Sequence, residues 1–301
     1  MNRVLEFVGR TSLTAVAITV LGWVLGLVFP SEEISGEAAG MVDRYLLPFV
    51  SASLLAAPLA YPISRSRLRG RALLGAVLLA AFGLMTVLTQ IEAALFLDMS
   101  PGELGRGILK ATLLSAALSW LTVTLYPKLQ AVTAAAEHRP NPPSVASWVR
   151  RWMGVSFAYL GLYVTAGMLI LPLVRSWYEA QGTLGLNPAL FFPLQVVRGA
   201  LFVAFVLPLL RSMSVTRRQA SLATAVMIPL VHGVAVLIPP NPFMPDFVRH
   251  AHMIEIGWSN FVLGLLIGFL FWNPAPGEGH RSVGGEQEAA SRAHPDQSAT
   301  D

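Results

Sequence analysis

The chain alternates long apolar segments with short polar loops, and the charge of those loops alternates too. Eight apolar segments occupy positions 11–29, 45–62, 72–97, 107–126, 152–174, 193–210, 220–238 and 251–272. The length of each segment is close to that of a helix that crosses a bilayer, about 20 residues. Lysine and arginine concentrate in the N-terminus and in every second loop, as in the run Arg65, Arg67, Arg69 and Arg71. Because cytoplasmic loops carry the basic residues, the pattern predicts an all-α, eight-helix bundle in the cell (plasma) membrane with both termini cytoplasmic.

The composition excludes several other classes of protein. Hydrophobic residues make up 54% of the chain and charged residues only 13%, whereas soluble domains have about 25% charged residues. The basic residues lie in loops where they orient the chain and contact anionic membrane lipids, so we do not expect a nucleic-acid partner. The chain has no cysteine, which excludes disulfides, thiolate nucleophiles and cysteine metal ligands. The sequence motifs of ATPases, zinc proteases and serine hydrolases are absent, and no cofactor is expected.

The chain divides into five segments. We expect a cytoplasmic N-terminus at 1–10, a first four-helix half at 11–126, a proline-containing cytoplasmic linker at 127–151, a second half at 152–272 and a disordered cytoplasmic tail at 273–301. The tail is polar and rich in glycine, serine and proline, a composition typical of disorder. Because the two halves show the same order of signals, we predict two parallel four-helix repeats.

Four arginines lie at the predicted outer ends of spans. Arg44 and Arg198 occupy matching positions in the two halves, as do Arg106 and Arg249, and charge alternation alone does not predict this match. Arginine is disfavoured on the outer side. Together the four would bind the phosphate or carboxylate of an anionic solute or lipid head group. The alternative is that each anchors a helix end by extending its guanidinium to the interface.

Four other ionisable residues lie inside the spans: Glu92, Lys110, His252 and Glu255. A helical rise of about 1.5 Å per residue places each within about 8 Å of the outer end of its span. Such groups indicate either function or internal pairing, and we predict that these four handle protons or ions. His252 and Glu255 share a helix face, which suits proton or ion handling, although a metal site needs more ligands than this face offers. The structural alternative pairs Glu92 with Lys110, or Glu255 with Arg106.

One histidine and three prolines lie within the spans. His232 is alone in an apolar span, and we expect it to bond a backbone carbonyl or a neighbouring helix more readily than a ligand. Pro58, Pro208 and Pro229 should kink their helices and leave carbonyls free to face a cavity.

Two small-residue motifs predict close helix packing. Gly22 and Gly26 lie in the first span, and Gly264 and Gly268 lie in the last. Such spacing lets a helix backbone approach a neighbour within the bundle, and a homodimer through either pair is the alternative.

These observations favour a transporter or permease-like protein with an outward-facing polar vestibule. Two alternatives remain open. One is a non-catalytic membrane scaffold whose charges only pair internally. The other is a membrane-embedded enzyme acting on a lipid, for which the sequence supplies neither an evident nucleophile nor a metal motif.

Overall fold

The structure is a computed structural model that describes residues 3–29, 40–126, 144–182, 187–241 and 243–272. The all-α prediction is confirmed: this part of the chain contains eight helices long and apolar enough to cross a membrane, and no β-strand. The predicted tail at 273–301 and the linker residues 127–143 lie outside the described residues.

The described residues form ten α-helices. They are α1 (Arg3–Val28), α2 (Leu47–Ser64), α3 (Gly70–Phe82), α4 (Thr89–Phe96), α5 (Pro101–Leu125), α6 (Val145–Ala180), α7 (Pro188–Ser212), α8 (Arg217–Pro229), α9 (Ala235–Leu237) and α10 (Asp246–Phe271). Three π-helical segments, Val42–Leu46, Gly83–Leu88 and Leu230–Val234, precede α2, join α3 to α4 and join α8 to α9. The third and seventh spans are therefore continuous helices with a π-helical segment inside.

Several helices begin earlier than hydropathy predicts. α7 begins at Pro188 rather than 193, α10 at Asp246 rather than 251, and α6 at Val145 rather than 152. The predicted linker at 127–151 is thus wrong over 145–151, which are helical. Likewise α1 begins at Arg3, so the predicted N-terminal segment is helical from that residue. Charged residues near the starts of α6 and α10 lower hydropathy there without breaking the helix, whereas α7 begins at the Asn187 cap and continues through its interior Pro193.

The earlier start of α7 changes the depth of Arg198. The side chain of Asn187 accepts a hydrogen bond from the Ala189 backbone and caps α7, and Pro188 follows it. Arg198 therefore lies about 15 Å along the helix by its rise, near the middle of the bundle. The prediction that Arg198 lies at the mouth of its span is wrong.

The closest helix packing occurs between α8 and α10. A methyl group at Gly264 or Gly268 would overlap the backbone of Ala225 or Ser221. This predicted small-residue face is therefore occupied within the chain. In α1, nothing lies within 4 Å of a side chain built at Gly22 or Gly26, and a homodimer through that face stays a prediction.

Two loops join the halves through a reciprocal pair of backbone hydrogen bonds. The Arg67 amide donates to the Ser212 carbonyl at 2.7 Å, and the Ser214 amide donates to the Arg65 carbonyl at 2.8 Å. Arg65 and Ser212, and also Arg67 and Ser214, are 147 residues apart. A shift of 147 residues therefore converts each bond into the other.

Two further features recur in both halves. The π-helical segments of the third and seventh spans begin at Gly83 and Leu230, again 147 residues apart. An arginine of the first helix in each half donates to a carbonyl near the end of the fourth. Arg10 bonds Leu125 in the first half, and Arg151 bonds Leu270 in the second at 2.9 Å. The two parallel four-helix repeats stay a prediction. Correspondences of this kind between the halves are what such a repeat would produce.

The bundle has two distinct ends. At the termini end, helices α1 and α6 begin and helices α5 and α10 end. The arginine-rich segments 65–71 and 211–218 lie at the same end. At the opposite end, here the distal end, lie the connections after α4, α6 and α9. The charge pattern predicts that the termini end is cytoplasmic.

Candidate functional site

A carboxylate of the first half meets two basic side chains of the second inside the bundle. One Glu92 oxygen lies 3.0 Å from Nη2 of Arg198, and the other lies 3.4 Å from Nε2 of His232. The side chains of Arg198 and His232 are 0% and 1% exposed, and that of Glu92 is 21% exposed. These three residues, the Glu92 group, link α4, α7 and the π-helical segment of the seventh span.

Arg198 is enclosed on its other sides. Its guanidinium donates to Oε1 of Gln195 at 2.8 Å. It also lies 5.6 and 5.4 Å from the ring centres of Tyr159 and Tyr163 on α6. A cation over aromatic rings is attracted to their negative faces, so Arg198 is held by one carboxylate, one amide and two rings.

The two π-helical segments hold His232 in one orientation. Its Nδ1 lies 3.1 Å from the carbonyl oxygen of Leu84, and the Thr89 hydroxyl donates to the carbonyls of Leu84 and His232 at 2.9 and 2.7 Å. A π-helical turn disrupts the regular ladder and makes such carbonyls available. Because a carbonyl can only accept, the contact with Leu84 is a hydrogen bond only in the tautomer that carries a proton on Nδ1. In that orientation Nε2 faces Glu92 at 3.4 Å.

A second acid–imidazole pair lies on α10. Nδ1 of His252 is 2.6 Å from Oε2 of Glu255, and its Nε2 is 2.8 Å from the Tyr178 hydroxyl of α6. These three residues form the Glu255 group. A neutral imidazole satisfies both contacts by donating to the carboxylate and accepting from the tyrosine. The described residues give Glu255 no lysine or arginine partner, so the group carries a net negative charge in that state.

Both groups face one cavity of about 620 Å³ in the distal half of the bundle. Residues of α4, α6, α7, α9 and α10 line it, so both halves contribute. Most of the wall is apolar or aromatic, including Phe96, Tyr163, Tyr178, Phe191 and Phe192. This volume is in the range that binds organic molecules of drug size.

Buried side chains lie on the termini side of the cavity, and exposed apolar side chains border it laterally. Phe202, one turn beyond Arg198, is fully buried and packs its ring against His232 at 5.0 Å. At the rim, Met168 and Phe192 line the cavity while 69% and 45% exposed on spanning helices. Large apolar side chains exposed on such helices face hydrocarbon, so the rim adjoins the lipid.

The structure brings together four of the residues predicted from sequence. Glu92, His252 and Glu255 line the cavity, and Arg198 lies behind Glu92. The predicted structural partners are wrong. Glu92 pairs with Arg198 and His232 rather than Lys110, and Glu255 pairs with His252 rather than with an arginine.

The other predicted residues do not line the cavity. Arg44 and Arg106 are exposed, and Lys110 is partly buried on α5. Arg249 is buried, but its guanidinium donates to the carbonyls of Leu237 and Ile238 and pairs with Asp246. Arg249 thus caps the end of the seventh span.

Sequence reasoning missed the tyrosines and part of the role of His232. The prediction that His232 bonds a carbonyl is confirmed, but the residue also meets Glu92. Tyr159 and Tyr163 are four residues apart and so share a helix face, a signal that the sequence contained. Tyr178 lies at the end of a helix that hydropathy ended at 174, which hid its relation to the site.

Within the described ranges, no group of three or more His, Cys, Asp or Glu side chains could hold a metal ion. Comparison of the chain with family models, curated proteins and solved structures finds no match. Function must therefore be argued from the site itself.

Proposed function

We propose that the protein is a permease-like transporter that admits an amphiphilic molecule to the distal cavity and exchanges protons at Glu92 and Glu255. The observation that carries this proposal is the placement of two acid–imidazole pairs, one bridging the halves and one on α10, at a single largely apolar cavity. Ionisable residues inside a membrane are costly and are typical of substrate and proton pathways.

The walls support an amphiphilic solute. Aromatic and aliphatic side chains form most of the surface, and the polar atoms are concentrated in the Glu92 and Glu255 groups. A solute with an apolar body and one polar end satisfies both kinds of wall. The exposed rim side chains Met168 and Phe192 support entry from the lipid as well as from water.

The placement of acids beside imidazoles supports proton exchange. Nε2 of His232 lies 3.4 Å from a Glu92 oxygen, and Nδ1 of His252 lies 2.6 Å from a Glu255 oxygen. Imidazole and carboxylate side chains are the groups that most often transfer protons in proteins. We expect a solute that displaces either contact to change how these groups hold protons.

A scaffold is the second candidate, because each acid already has a partner inside the chain. Both candidates predict stable charge pairs. They differ in whether the cavity ever opens toward the termini end, and alternating access requires that it does.

Cysteine accessibility distinguishes the two. The chain has no cysteine, so each variant carries one thiol. Val236→Cys reports on the cavity wall. Val206→Cys, on α7 one turn beyond Phe202, reports on the buried side chains at the termini side of the cavity, where Val206 is fully buried. Protein in oriented vesicles is treated with a membrane-impermeant maleimide, with and without a pH gradient.

A transporter should be labelled at Val236→Cys from the distal side. At Val206→Cys it should be labelled from the termini side, to an extent that changes with the gradient. Asp98→Cys at the distal end and Arg218→Cys at the termini end are both exposed and are the controls for labelling from the two sides; each should react equally with and without the gradient. If Val206→Cys stays unreactive from the termini side while Arg218→Cys reacts, the transporter proposal is wrong and the scaffold stands.

A further inference from the structure

We infer that the distal cavity binds a hydrophobic organic cation, with Glu255 as the residue that recognises its charge. This deepens the proposed function by naming the substrate class of the same cavity. The sequence favoured an anion, because four arginines were expected around an outer vestibule. The charge, shape and aromatic content of the cavity lead to the opposite sign.

The basic side chains are not available to an anion. No lysine or arginine is among the described residues that line the cavity. Arg198, which lies behind Glu92, is fully buried and is neutralised by that carboxylate. The guanidinium of Arg249 already donates hydrogen bonds to backbone carbonyls. Among the described residues that line the cavity, an anion would meet two carboxylates and no lysine or arginine.

Glu255 presents one carboxylate oxygen to the cavity. His252 contacts Oε2, whereas none of the described hydrogen bonds uses Oε1. A side chain built at Gly167, another cavity residue, would begin 3.7 Å from Oε1. Because glycine has only a hydrogen atom in place of a side chain, Gly167 leaves space beside Oε1. A larger residue at this position would fill that space. An ionised carboxylate that is only 9% exposed attracts a cation far more strongly than one in water.

Aromatic rings form much of the rest of the wall. Phe96 packs edge-on against Tyr178 and Phe191 with ring centres 6.0 and 6.5 Å apart, and Tyr163 lies 5.9 Å from Phe191. Rings arranged around a cavity stabilise organic ammonium or phosphonium groups through cation–π attraction. A small inorganic ion is disfavoured, because rings cannot replace the oxygen atoms of its hydration shell.

The test compares two ions of nearly the same size and shape but opposite charge, tetraphenylphosphonium and tetraphenylborate. Their binding to the purified full chain in a neutral detergent is measured by equilibrium dialysis, with protein-free micelles as the blank. Tetraphenylphosphonium should bind one per chain and at least about tenfold more tightly than tetraphenylborate, a difference of about 1.4 kcal/mol.

Variants assign the binding to this cavity. Glu255→Gln, which removes the charge, should weaken tetraphenylphosphonium binding about tenfold, a loss of about 1.4 kcal/mol. Phe191→Leu, which removes a ring and keeps an apolar wall, should weaken it severalfold. Asp98→Asn removes an exposed acid at the same end but outside the cavity, and should leave binding unchanged.

Equal or tighter binding of tetraphenylborate to the native protein would overturn the inference, even if Glu255→Gln failed to fold. Unchanged binding in both folded variants would overturn it too. Either result would leave the transporter proposal intact if Val206→Cys still showed gradient-dependent labelling. If tetraphenylphosphonium binds but Val206→Cys shows no gradient-dependent labelling, the inferred ligand class is supported and the transporter proposal is wrong.

Discussion

The Glu92 carboxylate and the Arg198 guanidinium, 3.0 Å apart, join the two halves of the chain at the wall of the distal cavity. The arginine has no exposure to water, and the acid is exposed only in part. Neither charge could remain at this depth without the other, because an unpaired ion in a low-dielectric interior carries a large desolvation cost. The pair is therefore both a structural link and the base of the candidate site.

Removing both members of this pair should cost less stability than the two single removals added together. Glu92→Gln or Arg198→Met should each lower stability by about 3–5 kcal/mol, because each leaves an uncompensated buried charge or polar group. The double variant should lose clearly less than the sum. Thermal unfolding of purified protein measures this, with exposed Arg106→Gln as the control expected to unfold like the native chain. Strictly additive losses would mean that the two side chains do not interact.

The glycines of α10 and α1 should respond differently to the same substitution. Gly268→Ala places a methyl group against the backbone of Ser221, and overpacking of this kind costs about 1–3 kcal/mol. Gly22→Ala and Gly26→Ala meet open space and should be neutral or stabilising by up to about 1 kcal/mol, since alanine favours helix more than glycine. Thermal unfolding of the three variants tests this. A larger loss at Gly22 or Gly26 would indicate that α1 packs against another copy of the chain.

The hydroxyl of Thr89 should matter more than that of a comparable surface threonine. It bonds the carbonyls of Leu84 and His232, which belong to two different spans. Thr89→Val should therefore lower stability by about 1 kcal/mol. Thr112, which bonds only its own helix at Ile108, is the matched control and Thr112→Val should be nearly neutral. Equal effects in the two variants would show that the π-helical segments do not depend on this hydroxyl.

The contact between the loops should be captured by a disulfide. The hydroxyls of Ser66 and Ser212 are 2.8 Å apart, so Ser66→Cys with Ser212→Cys should cross-link under mild oxidation. The product is identified by mass spectrometry of a digest. The pair Ser53→Cys with Ser212→Cys, whose first member lies on α2 far from the loop, should not cross-link. Similar yields from both pairs would contradict the loop packing described here.

The membrane orientation follows from charge and can be tested independently. In cells, Asp98→Cys at the distal end should react with an impermeant maleimide from outside, and Arg218→Cys at the termini end only after the membrane is opened. Both positions are exposed. The positive-inside rule requires this order, and the reverse order would place the cavity on the cytoplasmic side.

Part of the candidate site could be predicted from the sequence. Glu92, His252 and Glu255 stand out because a charged group in an apolar segment is energetically unusual wherever the helix lies. Their partners could not be predicted in the same way. Arg198 was assigned to a helix end because the span was predicted to begin at Pro193, which lies inside a helix that begins at Pro188 after the Asn187 cap.

Local sequence determined the eight spans, their order and the predicted orientation, because hydropathy and loop charge act through the membrane and need no neighbouring helix. Only the tertiary structure decided which charges meet. That choice depends on helix rotation, on close contacts such as those of Gly264 and Gly268, and on the π-helical segments that align Leu84 with His232. These features arise from packing between distant parts of the chain, and packing also determined that the arginines are withdrawn from the cavity while Glu255 faces it.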